Sequence, residues 1–560
     1  MKVVIVGGVA GGATAAARLR RLDEKAEIVI FERSGYVSYA NCGLPYYIGG
    51  VIEDQRELTL QSPQSFWRRF RVAVKVRHEV RAVNRTRKTV TVCALDTGEV
   101  FEESYDKLIL SPGAVPVRPE LPGIGSSRIL TLRTVEDTLR IRQEAEREEL
   151  ADWTVIGGGF IGLEAAENLR ERGRRVRIIQ QDPHVLAPLD GDMASFLHAH
   201  LRAKGVELLL GRNVTGFEER GEGLTVRTDG GDLATDRVLL AVGVRPDSAL
   251  AREAGLKLDV RGSIWTDDRM RTSDPDIYAV GDAVSVPHAV TGQRAVIALA
   301  GPANKQGHVA ADQIAGLDSR YRGSPASSVL KVFDMTAAFT GLNEEAARAA
   351  GLDFDKVILA PASHASYYPG GRVMTLKLLF ERPTLRILGA QIVGFEGVDK
   401  RLDVIATAMQ AGLKASDLAD LDLAYAPPYS SAKDPVNMAG YLVRNLTEGL
   451  VRQFCFEDLP SLPPEAVLLD VRTPGEYARG HAEGFEIHIP VDDLRERLGE
   501  LDPARPVYVM CQSGLRSYIA CRILAQHGFT CYNFAGGYRL YESLTRDRFD
   551  ARSRTDCGLR

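Results

Sequence analysis

The sequence predicts an α/β protein whose first half holds two Rossmann-like nucleotide folds. A glycine-rich turn joins a buried strand to a helix at the N-terminus, and a second copy of the pattern begins near residue 153. The composition is that of a water-soluble chain of several domains. Its 560 residues are 45% hydrophobic and 26% charged, with a formal net charge of −4. That length exceeds what one core organises. The charge balance offers nothing to nucleic acid or to a membrane surface, and no apolar run approaches the length of a spanning helix. Seven cysteines (42, 93, 455, 511, 521, 531 and 557) form no C-x-x-C pair and no metal-ligand spacing. An odd number of thiols in a large chain fits a reducing, cytoplasmic setting.

Residues 2–6, KVVIV, read as a buried parallel strand, GGVAGGATAAARLRRL as a turn entering a helix, and AEIVIFE as a second strand ending at Glu32. Lys2 and the small residues after it could pass for a signal peptide, but continuation into a second strand favours a βαβ unit. Gly7, Gly8, Ala10, Gly11 and Gly12 admit a pyrophosphate close to the backbone. The helix N-terminus offers N–H groups, and Glu32, beside Arg33, can accept hydrogen bonds from ribose hydroxyls. Val9 stands where G-x-G-x-x-G has its middle glycine. In WTVIGGGFIGLEAAENLRERGRRVRIIQQ the unit repeats, with Gly157, Gly159, Phe160, Ile161 and Gly162 at the turn and Gln180 ending the second strand. An acid at that end receives a 2′-hydroxyl, whereas arginines receive a 2′-phosphate. Gln180 and Gln181, with Arg174, Arg175 and Arg177 nearby, leave NADPH open beside NADH, the expected donor.

A third segment, TSDPDIYAVGDA (272–283), ends in Gly281, Asp282 and Ala283 after a strand-like run. Together these segments resemble the flavin- and pyridine-nucleotide-dependent disulfide oxidoreductases over residues 1 to about 445. The resemblance implies FAD on the first unit, NAD(P)H on the second and Asp282 at the flavin ribityl chain. LILSPGAVPVRP, with Ser111 and Gly113, and VLLAVGVRPDSAL, with Gly243, are similar to the family's two crossover segments. Asn41 and Pro302 are carried over as further cofactor contacts. The implied domains are FAD-binding (1–112 and 267–325), NAD(P)H-binding (113–266) and an α+β dimerisation domain (326–445), which implies a homodimer.

A linker (446–458) then leads to LLDVRTPGEYARGHAEGFEIHIPVDDL and VYVMCQSGLRSYIACRILAQHGF, which resemble an α/β rhodanese domain over 459–548. Residues 549–560 read as a polar tail in which Cys557 is incidental. Cys511 follows an apolar strand and precedes a helix. A thiolate there sits among backbone N–H groups near Arg516, a setting that lowers a thiol pKa and stabilises a persulfide. The short spacing from Cys511 to Arg516 resembles the sulfurtransferase loop rather than the longer phosphatase one. Asp470 and Arg472 resemble a structural ion pair, and Cys521 and Cys531 read as core.

The remaining motif, VSYANCGLPYY, holds the single thiol Cys42. It resembles the single-cysteine branch of the flavin family, which contains coenzyme A disulfide reductases, NADH peroxidases and water-forming NADH oxidases. Without a neighbouring cysteine, Cys42 must pair with an external sulfur or oxygen. Arg18 and Arg21, three apart on one helix face, could reach phosphates or form an ordinary solvated basic face. The resemblance implies coenzyme A contacts at Thr14, Arg18, Arg21, Ser38, Asn41, Arg71, Asn304 and Lys433, with Arg68 and Arg69 beside Arg71. It also implies that Tyr367 and Tyr425 reach the other subunit's cysteine; Tyr368 and Tyr429 are the alternative reactive pair, and core packing is the remaining reading of these rings. A rhodanese fused to such a chain points to reduction of persulfides, polysulfides or coenzyme A persulfide, together with coenzyme A disulfide. The alternatives are a dedicated coenzyme A disulfide reductase, an NADH oxidase or peroxidase, and a sulfur carrier without turnover.

Overall fold

The computed structural model describes residues 1–549, and Cys557 lies outside them. The described residues form two compact bodies, Met1–Gln181 with Gly211–Ala326, and Asp182–Leu210 with 327–549. No helix of the described residues is long and apolar enough to cross a membrane.

The first body holds two parallel sheets. In one, β1 (Lys2–Val6), β2 (Glu27–Glu32), β3 (Val72–Val76), β4 (Lys107–Leu110) and β9 (Ile277–Ala279) lie in the order β9-β4-β1-β2-β3. Val4 sits opposite Val29 on one side and Leu108 on the other. These strands are near-continuous apolar runs because a parallel sheet is covered on both faces. Helix α1 (Ala10–Leu22) buries Gly11, Gly12, Ala13, Ala15, Ala16 and Leu19. Its small residues let α5 (Ala300–Ile314) approach so closely that a Cβ at Gly307 would lie 2.4 Å from the Gly11 carbonyl. In the second sheet, which has five strands, four of them, β5 (Ile129–Leu130), β6 (Asp152–Ile156), β7 (Arg175–Ile179) and β8 (Arg237–Leu240), run β7-β6-β8-β5, with α3 (Phe160–Glu171) following β6. Two nucleotide folds in one chain are thus present as the sequence predicts.

The second body opens with a helix that sequence reading placed in the 113–266 nucleotide domain. Helix α4 (Gly191–Ala203) buries every residue from Met193 to Arg202. Its companions are the strands β10 (Ser328–Val332), β11 (Met335–Gly341), β12 (Phe354–Leu359), β13 (Thr375–Glu381) and β14 (Ile387–Gly394). They form an antiparallel sheet in the order β10-β11-β14-β13-β12. Lys377 of β13 is fully buried, and Asp190 and Asp192, which flank the start of α4, lie 2.8 Å from its ammonium. Glu344 pairs with it as well. A buried ammonium is tolerated only with such partners, so this charge cluster ties 182–210 to the sheet. Helices α6 (Val398–Ala411) and α7 (Pro435–Thr447) cover one face.

The C-terminal sheet is wholly parallel, in the order β15-β19-β18-β16-β17, from β15 (Gln453–Phe454), β16 (Val467–Asp470), β17 (Ile487–His488), β18 (Val507–Met510) and β19 (Cys531–Phe534). The stretch 446–458, expected as a linker, therefore supplies an edge strand, and its Phe454 is buried. Helix α8 (Leu515–Gln526) follows β18, and α9 (Gly537–Phe549) closes the described chain.

Helix α9 packs against α4. Ser195 and Ser543 share a hydrogen bond of 2.8 Å. The Val185 N–H donates to His198 Nε2 at 3.1 Å, so that nitrogen carries no proton and Nδ1–H donates to Asp547 at 2.6 Å. Arg202 holds the other Asp547 oxygen. Burial keeps the His198 pKa below its ordinary value against the pull of Asp547, with Arg202 and His184 adding to the lowering. The folded state thus resists a proton that the unfolded chain accepts below about pH 6.5. Stability contributed here is full above that pH and declines as pH falls from about 6.5 toward the folded pKa. Asp547, whose own pKa is lowered, adds a further loss only below about pH 4. Hydrogen exchange in α9 is expected to be faster at pH 5.5 than at pH 7.5 after correction for intrinsic rates. An H198N variant is expected to flatten that difference.

Candidate active site

Each glycine turn is closed by contacts that leave no room for a side chain. Gly7 has φ +92°, and a Cβ on it would lie 2.1 Å from the Ser111 carbonyl; a Cβ on Gly12 would lie 1.9 Å from the Gly7 carbonyl. The second turn repeats this with Gly157, φ +106° and 2.3 Å from the Ala241 carbonyl, and Gly162, 1.9 Å from the Gly157 carbonyl. The middle position differs, since nothing lies within 4 Å of a Cβ at Gly159. Val9, with φ −103°, is accommodated because this position needs no left-handed backbone.

Glu32 and Gln180 do the same local work. Glu32 accepts from the Gly8 N–H at 2.8 Å and the Ser34 N–H at 2.9 Å, and Gln180 accepts from the Gly158 N–H at 2.7 Å. Burial raises the Glu32 carboxyl, while the Gly8 and Ser34 donors oppose it. Glu32 keeps further lone pairs for ribose hydroxyls. The tight cradles, the open mouth at Gly159 and the acceptors at both second-strand ends fit two dinucleotides. Phe160 and Ile161 open α3, and Ser38 (φ +48°) donates its N–H to the Gly8 carbonyl at 2.8 Å. Gly113, Gly243 and Gly281 all have positive φ. Gly281 donates its N–H to the buried side chain of Gln306 at 2.7 Å, a partner 25 residues downstream that no motif marks. Arg33 pairs with Asp247 at 3.0 Å, and Pro302 lies in the first turn of α5.

The arginines near Gln180 are committed elsewhere. Arg175 pairs with Asp152, Arg174 donates to the Arg147 carbonyl and Arg177 to the Ala234 carbonyl. Arg174 and Arg175 lie at the far end of β7, five or more residues and roughly 17 Å from Gln180.

Cys42 sits in a short turn, Asn41–Gly43, ahead of helix α2 (Leu44–Gly49). It is a free, exposed thiol. The other cysteine of its body, Cys93, is buried in a strand. Burial by its surroundings pushes the Cys42 thiol up, as do the charges of Glu164 and Asp282, and Arg133 opposes them. Sequence reading missed Arg133, which donates to Asn41 Oδ1 at 3.1 Å and to the Ala114 carbonyl at 2.9 Å and lies 3.8 Å from Asp282. It also missed Glu164 on α3, whose carboxyl burial raises to about 7 and whose partner is the Tyr46 hydroxyl at 3.4 Å. Nothing local to either residue announces it, because both reach the site by folding.

The expected coenzyme A residues fall into separate groups. The Thr14 hydroxyl donates to Asn304 at 2.8 Å, and Arg18 Nε donates to buried Asp312 at 2.7 Å. Arg21 is exposed further along α1. Arg71 caps a separate helix, Pro63–Phe70, with its guanidinium over Trp67. In the second body Lys433 is exposed. The Tyr367 and Tyr425 hydroxyls share a hydrogen bond of 2.6 Å, and that bond holds the Tyr425 phenol above its usual range. Both are exposed, as are Tyr368 and Tyr429; these four rings are not core.

Cys511 directly follows β18 and is buried, with the Gly514 N–H donating to its sulfur at 3.1 Å and the Ser517 hydroxyl at 3.2 Å. Gly514 has φ +95°, and a Cβ on Gly537 would lie 2.6 Å from the Ser513 nitrogen, so the loop closes tightly around the sulfur. Arg516 turns its fork onto Glu476 with two bonds of 2.7 Å, which drive the Glu476 carboxyl down to about 2. Asp470 and Arg472 form a buried bidentate pair with Arg472 over Tyr538 at 3.9 Å. Cys521 and Cys531 are buried, with the Cys531 thiol on the Cys521 carbonyl at 3.2 Å.

Two dinucleotide cradles, one exposed thiol among their residues and a second thiol in a closed N–H loop define a nucleotide-dependent thiol oxidoreductase carrying a sulfurtransferase-type domain. The chain belongs to the pyridine nucleotide-disulphide oxidoreductases, matching that family over residues 1–307 and its dimerisation domain over 327–435, with a rhodanese-like domain over 458–544. It is an FAD-dependent enzyme of that family. Coenzyme A disulfide reductase of Staphylococcus aureus is 38% identical over 441 residues, 79% of this chain and 99% of that protein. The reduced CoADR-RHD of Bacillus anthracis superposes with a TM-score of 0.95 at 46% identity, covering 98% of each chain. An NAD-dependent persulfide reductase from A. fulgidus superposes with a TM-score of 0.92 at 38% identity, covering 97% of this chain and all of that one.

Proposed function

We propose that the enzyme uses NADH to reduce persulfides, polysulfides and coenzyme A persulfide, together with coenzyme A disulfide, through Cys42 alone, while Cys511 delivers sulfane sulfur. One observation carries this reading: the only other cysteine in the body of Cys42 is the buried Cys93, so the substrate must bring the second sulfur. The persulfide reductase similarity over 97% of the chain, C-terminal domain included, supports the same substrate class. The residues of the first turn, Glu32 and Asp282 would hold FAD, and those of the second turn and Gln180 the nicotinamide nucleotide. Bound there, the two cofactors supply two-electron transfer. The commitment of Arg174, Arg175 and Arg177 to other partners favours NADH over its 2′-phosphate analogue.

With a disulfide, the Cys42 sulfur attacks one sulfur, forms a Cys42–substrate disulfide and releases the other as thiolate. With a persulfide it takes the outer sulfur, which later leaves as hydrosulfide. Overall, RSSH, NADH and one proton give RSH, hydrogen sulfide and NAD⁺; RSSR gives two RSH. Arg133 favours the Cys42 thiolate, and Glu164, near 7, takes or returns a proton at neutral pH. In a homodimer, Tyr367 and Tyr425 would meet the partner's leaving thiolate. Only one of the two hydroxyls donates in their shared bond, so the other keeps a proton to give to the thiolate. Asp312 holds Arg18 by Nε only, leaving its two amino ends for a phosphate of coenzyme A, with Thr14, Asn304 and Arg21 on the adjoining faces. The division into FAD, nucleotide, dimerisation and rhodanese domains is part of the same reading, as is a cytoplasmic setting.

Anaerobic assay of NADH consumption tests the proposal. Turnover is expected with coenzyme A disulfide and with coenzyme A persulfide, the latter yielding one sulfide per NADH. Rapid NADH loss when oxygen is admitted or peroxide is added, with no sulfur acceptor present, would sink it in favour of an oxidase or peroxidase.

A further inference from the structure

The Tyr367–Tyr425 pair stands on two loops and is itself exposed, so core packing does not set its geometry. What joins the loops is a buried guanidinium. Arg401, on the first turn of α6 and 1% exposed, sits between the loop that carries Tyr367 and the loop that carries Tyr425. Its Nη2 donates to the Ser363 carbonyl at 2.8 Å on the first loop, and to the Ser430 hydroxyl at 3.1 Å and the Tyr429 carbonyl at 3.3 Å on the second. Asp434 closes the node, accepting from Arg401 Nε at 3.2 Å, Nη2 at 3.1 Å and the Ser430 hydroxyl at 2.6 Å. Its other oxygen caps α7 through the Val436 N–H at 3.0 Å. Arg401 Nη1 donates to the Gly397 carbonyl at 3.1 Å. One backbone bond, from the Ala365 N–H to the Ser430 carbonyl at 3.0 Å, joins the same two loops beside it.

We infer that Arg401 is the positioning residue for the Tyr367–Tyr425 hydroxyl pair: it sets the loop spacing at which the two oxygens meet, and so acts on proton delivery to a departing thiolate. The inference rests on the tyrosine reading above. A guanidinium is required because its planar fork serves both loops and the carboxylate at once, whereas an ammonium on a flexible stem holds one direction at a time. A buried, bonded charge also fixes one arrangement, because any alternative leaves the buried Asp434 carboxylate without its cation.

The test uses the FAD-loaded full chain and two disulfides. Coenzyme A disulfide releases an alkyl thiolate that needs a proton; an aromatic disulfide releases a thiolate stable without one. For R401K, kcat with coenzyme A disulfide is expected to fall roughly 10- to 100-fold, within the range general acids contribute. With the aromatic disulfide kcat should stay within about twofold, as should KM for NADH. The double variant Y367F/Y425F should show the same substrate selectivity, and adding R401K to it should cost little more. If R401K lowers both substrates equally, its role is structural only and the inference fails. If the double tyrosine variant loses turnover while R401K does not, positioning by Arg401 is overturned and the tyrosine reading stands. If the double variant keeps full turnover, the tyrosine reading fails and the inference with it. Should R401K not yield folded holoenzyme, S430A, which removes the hydroxyl between Arg401 and Asp434, serves the same comparison.

Discussion

In a C42S variant, reduction of coenzyme A disulfide and persulfide is expected to fall by at least about 10³-fold, the scale on which removal of a catalytic nucleophile acts. Bound flavin should stay at wild-type content. Three features make the effect that large. The serine hydroxyl does not form an S–S bond with the substrate, and the buried Cys93 is the only other cysteine of that body. The groups around Cys42, namely Arg133, Glu164 and Asp282, hold or move protons and cannot carry a sulfur. The fold should barely notice, because Cys42 is exposed and surface substitutions commonly change stability by no more than about 0.5 kcal/mol. Retained flavin with lost turnover is therefore the expected pair of results. Retained turnover would place the redox thiol elsewhere and end the single-cysteine mechanism.

The C511S variant is expected to give the reciprocal result. Sulfur transfer from thiosulfate or polysulfide to an acceptor thiol should fall by at least about 10³-fold, while coenzyme A disulfide turnover stays within about twofold. A serine oxygen can still accept from Gly514 and Ser517, which hold the Cys511 sulfur at 3.1 and 3.2 Å, so the loop should keep its shape. What is lost is the polarisable sulfur that carries a persulfide. Burying the new O–H costs on the order of 1–3 kcal/mol if it finds no acceptor, and a small drop in thermal stability is the expected side effect. A parallel collapse of coenzyme A disulfide turnover would show that the two thiols work only in series. The combination of C42S and C511S data thus separates a reductase with an attached sulfur donor from a single relay.

The glycine turns were readable because their chemistry is local. A Cβ at Gly12 or Gly162 collides with the carbonyl five residues earlier, so the spacing alone marks the turn; the closures of Gly7 on Ser111 and Gly157 on Ala241 come from the fold. The exposed middle position explains why Val9 does not spoil the pattern. Glu32 and Gln180 are legible for the same reason, each ending a strand whose neighbour carries the turn. The tyrosines were legible as a motif but not as a pair, since 58 residues separate two hydroxyls that share one hydrogen bond. Arg133, Glu164 and Arg401 carry no local signature; each is an ordinary charged residue until the fold supplies its partners.

By itself the sequence determined the α/β class, the two nucleotide turns, the lone thiol Cys42 and the closed loop of Cys511, because periodicity, glycine sterics and cysteine spacing act over a few residues. Tertiary structure alone decided the rest. It drew residues 182–210 into the second body around the buried Lys377, made an edge strand of part of the linker, and turned Arg516 onto Glu476. The physical reason is common to all three. A charge or an aromatic ring that is withdrawn wholly or partly from water takes whichever partner the packed chain brings to it, and that partner is set by three-dimensional contact rather than by distance along the sequence.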